Sequence, residues 1–265
     1  MLQEFVTQLK REDAVLVSVA LAQGSVPREA GAWMAVFDQT CVNTVGGGHL
    51  EFQALKHARD CLQGQAQPSQ RRYALGPALG QCCGGVVHLQ FERVGAADVP
   101  QLLKRLEPVP NALALFGGGH VGTALVQVLG RLPFAIDWFD SRDEIFPENL
   151  PVGVRCEHSE PVASAVRDLV PGSRVLIMSF SHAEDLDVVA ACLQRQREFG
   201  DLPYVGLIGS KTKWASFRQQ LRARGFSEQE LAHVTCPIGV PGIRGKEPEV
   251  IAVAVAAQLL QQLNG

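Results

Sequence analysis

Residues 113–125 read LALFGGGHVGTAL, and this stretch decides the fold. An apolar strand runs into Gly117, Gly119 and Gly122, which form G-x-G-x-x-G, and a helical pattern opens at once behind them. That order is the mononucleotide-binding turn of a doubly wound sheet: glycines let backbone amides approach a diphosphate, and the helix start adds unpaired N–H groups and a positive dipole end. His120 opens the helix. Asp140 ends the next strand, FAIDWFD, and lies 18 residues beyond Gly122, where a carboxylate accepts from a ribose hydroxyl.

Outward from this turn, strands and helices alternate to the end of the chain. ALALF, FAIDWFD, RVLIM and YVGLI read as strands, and helices are expected over about 120–131, 161–168, 184–198 and 211–224. Such alternation calls for a parallel sheet covered on both faces. A last helix begins near Pro248, where a first turn tolerates the missing N–H.

The prolines of EPVPN (107–111) punctuate the chain and divide it into 1–107 and 108–265. The first part reads as strands near 14–22, 32–37 and 41–45, a helix over about 48–63, and the strand VVHLQFERV at 86–94. The fold expected is therefore α/β: an N-terminal mixed α+β domain followed by a Rossmann-like domain with a parallel sheet.

Composition bounds the function. With 46% hydrophobic and 19% charged residues in 265, the chain buries a large core. A net charge of −3 lacks the basic footprint of a nucleic-acid binder. The seven cysteines are scattered at 41, 61, 82, 83, 156, 192 and 236, without the spacing of a stapled secreted domain, and a reducing cytosol fits them best. Lys10 and Arg11 ahead of AVLVSVALA imitate a signal peptide, but Glu4, Glu12 and Asp13 cancel the positive flank and the valines favour a strand. No apolar run reaches the roughly 18 residues a membrane span needs.

Three more glycine clusters stand out. VGGGHLE (45–51) places Gly46, Gly47 and Gly48 before a helix whose first turn carries His49 and Glu51, a second anion-binding nest. His49-x-Glu51 matches part of the zinc deaminase signature, but no P-C-x-x-C completes it. GLIGSKTKW (206–214) brings Ser210, Lys211 and Lys213 behind a strand, and PIGVPGIRGKEPE (237–249) carries Arg244 and Lys246; both suit phosphate. In LGPALGQCCGG (75–85), Cys82 and Cys83 lie side by side among glycines, too close for the C-x₂₋₄-C spacing of structural zinc. SFSHAEDLD (179–187) reads as a loop that caps a helix at Ser181 or His182 and puts acids in its first turn.

Through VGGGHLE, LGPALGQCCGG, LFGGGHVGTAL, GLIGSKTKW and PIGVPGIRGKEPEVIAVAVAAQLL, in this order, the sequence resembles the xanthine dehydrogenase accessory proteins of the XdhC and CoxI type. These are molybdenum-cofactor insertion chaperones. The resemblance implies a non-catalytic, cytoplasmic carrier that binds molybdopterin-type cofactor as cargo. It shields the cargo while an oxo ligand is exchanged for sulfido, then delivers it to apo xanthine dehydrogenase or a related molybdenum hydroxylase. A cysteine desulfurase and a second copy of the chain are the other partners it implies. Soft thiolates suit molybdenum, so Cys82, supported by Cys83, is expected at the metal end, and a glycine-rich helix start at the phosphate. An NAD(P)-dependent oxidoreductase built on Gly117, Gly119, Gly122 and Asp140 is the alternative; a nucleotide-binding fold kept as scaffold for protein contacts is a third reading.

Overall fold

The computed structural model describes residues 1–76, 84–107 and 110–263, and the chain divides into two compact units, Met1–Glu107 and Pro108–Gly265. The first unit contains α1 (Leu2–Leu9), β1 (Ala14–Gln23), β2 (Trp33–Val36), β3 (Cys41–Asn43), α2 (Gly48–Leu62), β4 (Gln70–Ala74), β5 (Val86–Val94) and α3 (Val99–Leu106). Its strands form one antiparallel sheet in the order β3-β2-β1-β5-β4.

The apolar run of β1 is continuous because both faces of this central strand are covered. Val15, Val17 and Val19 pack with Leu50, Ala54, Ala58 and Cys61, all on α2. Ala14 and Leu16 point the other way, to Phe5 and Leu9 of α1 and Leu102 of α3. Period-2 geometry divides one apolar run between two cores. Just beyond the ends of β4 and β5, Leu75 N donates to Gly85 O at 2.8 Å, and Gly85 N donates to Ser25 O in the loop after β1 at 3.1 Å. Cys82 and Cys83 themselves lie outside the described residues.

The second unit contains β6 (Asn111–Phe116), α4 (His120–Leu129), β7 (Phe134–Asp140), β8 (Val154–His158), a 3₁₀ helix (Val162–Asp168), β9 (Arg174–Ile177), α5 (His182–Phe199), β10 (Tyr204–Leu207), α6 (Lys211–Ala223), α7 (Glu228–Leu231), β11 (Val234–Thr235) and α8 (Pro248–Gln261). All its strands are parallel, in the order β11-β10-β9-β6-β7-β8. This is the doubly wound dinucleotide-fold order, with the reversal, and hence the crevice, between β6 and β9.

Leu125, Val126 and Leu129 of α4 and Ala252, Val255 and Leu259 of α8 join one core cluster. Helices α5 and α6 and the 3₁₀ helix build the other from Val188, Val189, Phe217, Leu221, Val162 and Val166. The helix expected over 161–168 is thus a 3₁₀ segment. Among the described residues no helix is long and apolar enough to cross a membrane.

Candidate functional site

The glycine turn after β6 is built by close approach. Gly117 has φ +121°, and a Cβ on it would lie 2.0 Å from Met178 O at the end of β9; a Cβ on Gly122 would lie 2.1 Å from Gly117 O. Neither position accepts a side chain, so β6, α4 and β9 meet at backbone distance. Trp138 Nε1 donates to Gly117 O at 2.9 Å and pins the turn from β7. Gly119 differs: a Cβ there would meet nothing within 4 Å, and as the N-cap of α4 it receives no side-chain cap. His120 is exposed beside it, and among the described residues no side chain caps this helix start, the kind of end whose amides can take an anion.

The starts of α5 and α6, by contrast, are closed by their own serines. Ser181 Oγ accepts from Glu184 N at 3.2 Å, and Ser210 Oγ from Lys213 N at 3.1 Å. Lys211 is exposed in the first turn of α6. Lys213 instead turns inward, donating to Asp185 Oδ2 at 2.6 Å and to Ile208 O at 3.0 Å. Asp185 also accepts from Ser179 N at 2.7 Å, so this buried pair ties the loops after β9 and β10 together. Burial pushes the neighbouring Cys236 thiol up to about 11, with Lys213 pulling it down and Asp185 raising it. At neutral pH it is a protonated thiol, not a nucleophile. Among the described residues Ser179 Oγ, buried, finds no hydrogen-bond partner, a donor left at the crevice end of β9.

Asp140 is not free for a ribose. Its side chain is 1% exposed and accepts from Gly118 N at 2.5 Å and from Arg142 through Nε and Nη2, each at 2.9 Å. Burial pulls its pKa up, but the hydrogen bonds from Arg142 and Gly118 outweigh that and hold the carboxyl below its ordinary range. The residue was legible in the sequence; its partner was not, because Arg142 lies in a loop with no periodic signal.

The nest at Gly46, Gly47 and Gly48 is also filled from within. Glu51 accepts from Thr44 Oγ1, from Val45 N at 3.2 Å and from Gly47 N at 3.1 Å, so the anion expected from outside is supplied by the chain. His49 stands exposed, in a 2.9 Å hydrogen bond with Gln53. Among the described residues no cluster of three His, Cys, Asp or Glu side chains is arranged to hold a metal ion.

The chain matches two family models. The XdhC Rossmann domain covers residues 113–259, and the XdhC and CoxI family covers residues 8–74. YqeB, an uncharacterized protein of Escherichia coli K12, is 28% identical over 256 residues, 94% of this chain; the chain spans only 43% of that relative's length. A crystal structure described as a xanthine dehydrogenase from Bacillus halodurans superposes with a TM-score of 0.77 at 21% identity, covering 98% of this chain and 95% of that one. That likeness bears on the fold.

Proposed function

The chain belongs to the XdhC and CoxI family, and on that premise we propose that it is a maturation factor for xanthine dehydrogenase or a related molybdenum hydroxylase. It carries molybdenum cofactor as cargo, shields it while sulfur from a cysteine desulfurase replaces an oxo ligand, and hands it to the apo-enzyme. It turns nothing over itself and works as a homodimer. The observation that carries this reading is the match of family models to both units of one chain, at 8–74 and 113–259.

The residues divide the work by chemistry. Cys82, supported by Cys83, offers soft sulfur to the metal end, and adjacent thiols on a glycine-flanked segment suit a contact that must later break. The uncapped start of α4, from Gly117 to Gly122, receives the terminal phosphate, with open space at Gly119 and exposed His120 beside it. Unpartnered Ser179 Oγ is a spare donor for the same ligand. The nest at Gly46 to Gly48 takes no part, since Glu51 accepts from Gly47 N and Thr44 Oγ1 from Gly46 N. The nicotinamide alternative is disfavoured because the Asp140 carboxylate is buried and already accepts from Arg142 and Gly118.

Equilibrium binding of isolated molybdenum cofactor under anaerobic conditions tests the proposal. The unaltered chain is expected to retain the cofactor, and Cys82→Ala to weaken retention about tenfold or more, equivalent to about 1.4 kcal/mol. No retention by the unaltered chain overturns the carrier reading. Full retention by both Cys82→Ala and Cys83→Ala overturns only the role of the thiols.

A further inference from the structure

A dinucleotide-binding crevice receives the adenosine ribose against a carboxylate near the end of its second strand. Here that strand is β7 and that carboxylate is Asp140. Oδ1 accepts from Arg142 N and Arg142 Nε, each at 2.9 Å; Oδ2 accepts from Gly118 N at 2.5 Å and Arg142 Nη2 at 2.9 Å. A carboxylate has about four lone-pair positions, and these four donors fill them.

The closure continues past the carboxylate. The Arg142 guanidinium carbon lies 4.6 Å from the centre of the Phe180 ring, and Phe180 follows β9, on the opposite side of β6 from β7. Ser141 Oγ donates to Glu184 Oε1 at 2.7 Å, and Glu184 Oε2 accepts from Phe180 N at 3.2 Å, tying the same two loops a second time. Ile145 packs over the glycine turn, where a Cβ on Gly118 would lie 2.9 Å from its Cγ1 and Cγ2. The loops that part around an adenosine in a dinucleotide enzyme are here joined across the end of β6.

We infer that Arg142 is a specificity-determining residue whose guanidinium stands in the place of the adenosine ribose and, braced on Phe180, bars nicotinamide dinucleotides from the crevice. Admitting NAD would strip a buried carboxylate of its paired cation and break a cation–π contact, with only neutral hydroxyls in return. NADP fares no better. Its 2′-phosphate would draw Arg142 away and leave two anions, phosphate and Asp140, side by side. This inference concerns what the crevice refuses and holds whatever cargo the chain carries.

Calorimetric titration of the full chain with NAD⁺ and NADP⁺ tests it, using the unaltered protein, Arg142→Ala, Arg142→Met and the double variant Arg142→Ala with Asp140→Asn. The unaltered protein is expected to show no binding up to about 1 mM, and Arg142→Ala to gain NAD⁺ affinity by about tenfold or more, a gain that Asp140→Asn removes. Arg142→Met keeps an apolar stem on Phe180 while uncovering the carboxylate, and gains likewise if the alanine variant does not fold. Dinucleotide binding by the unaltered protein overturns the inference, as does a folded Arg142 variant without a gain, or a gain that survives Asp140→Asn. If neither Arg142 variant folds, the titration of the unaltered protein decides.

Discussion

The tetrapeptide Gly-Gly-Gly-His occurs at 46–49 and again at 117–120, each time at the mouth of a helix. In the first copy the carboxylate that fills the turn comes from the helix it opens: Glu51 reaches back to Val45 N and Gly47 N. In the second it comes from the neighbouring strand, and Asp140 takes Gly118 N while Gly119 and the start of α4 stay open. Filling from within one turn closes the nest locally. Filling from β7 braces the turn sideways and leaves the helix end available. Identical local sequence therefore serves one structural turn and one candidate binding turn, and what separates them is where the counter-charge resides.

The comparison breaks most sharply at the backbone. Gly117→Ala, whose Cβ would lie 2.0 Å from Met178 O, is expected to destabilise the second unit by more than about 3 kcal/mol in urea unfolding. Gly47→Ala, at φ +75° and ψ −172° with nothing within 4 Å, should cost about 1 to 3 kcal/mol of backbone strain with no clash added to it. Equal losses at the two sites would mean that close approach does not distinguish the turns.

Asp140→Asn comes next, at about 2 to 3 kcal/mol, because it leaves Arg142 without its counter-charge. Its pH signature sharpens the assignment. The folded carboxyl titrates below its ordinary range, so its contribution is complete above about pH 4 and fades as acid carries the pH down through the lower folded value. Stability curves of the parent and the asparagine variant should converge toward acid; parallel curves would contradict the pairing.

Glu51→Gln is expected to cost about 1 to 2 kcal/mol, since a neutral amide is a weaker acceptor for the same amides. Glu51→Ala should do more: it empties the nest, so added sulfate should raise the melting temperature of the variant more than that of the parent. An equal response to sulfate would show that Glu51 is not the anion the turn requires. The smallest effect belongs to Gly119→Ala, within about 0.5 kcal/mol in stability, because its Cβ meets only open space. A large loss there would mean that the start of α4 is not free.

Legibility followed burial. β1, β6 and β7 were readable because these inner strands carry predominantly apolar runs rich in valine, leucine and aromatic residues. The edge strand β4, QRRYA, is polar with a single buried residue, β8, VRCEH, alternates over only five residues with no bulky apolar side chain beyond Val154, and β11 has two residues, so none produced a signal. The eight-residue α1 has no side-chain cap to announce it. At the site, Gly117, Gly122 and Asp140 stood out by spacing, and Ser181 by its capping chemistry. Arg142, Phe180 and the Asp185–Lys213 pair did not, because each acts through a loop that meets another loop only after the sheet has formed.

By itself the sequence determined the parallel sheet, the glycine turn after its first strand, and the kinds of side chain gathered there, since periodicity and backbone sterics act over a few residues. Glu51 closes its own turn from one helical turn away, and Arg142 meets Asp140 two residues on, both local contacts. Tertiary structure alone decided that Asp140 answers Gly118 N from the neighbouring strand and that Arg142 lies against Phe180, since these depend on distances across folded loops, which no local pattern encodes.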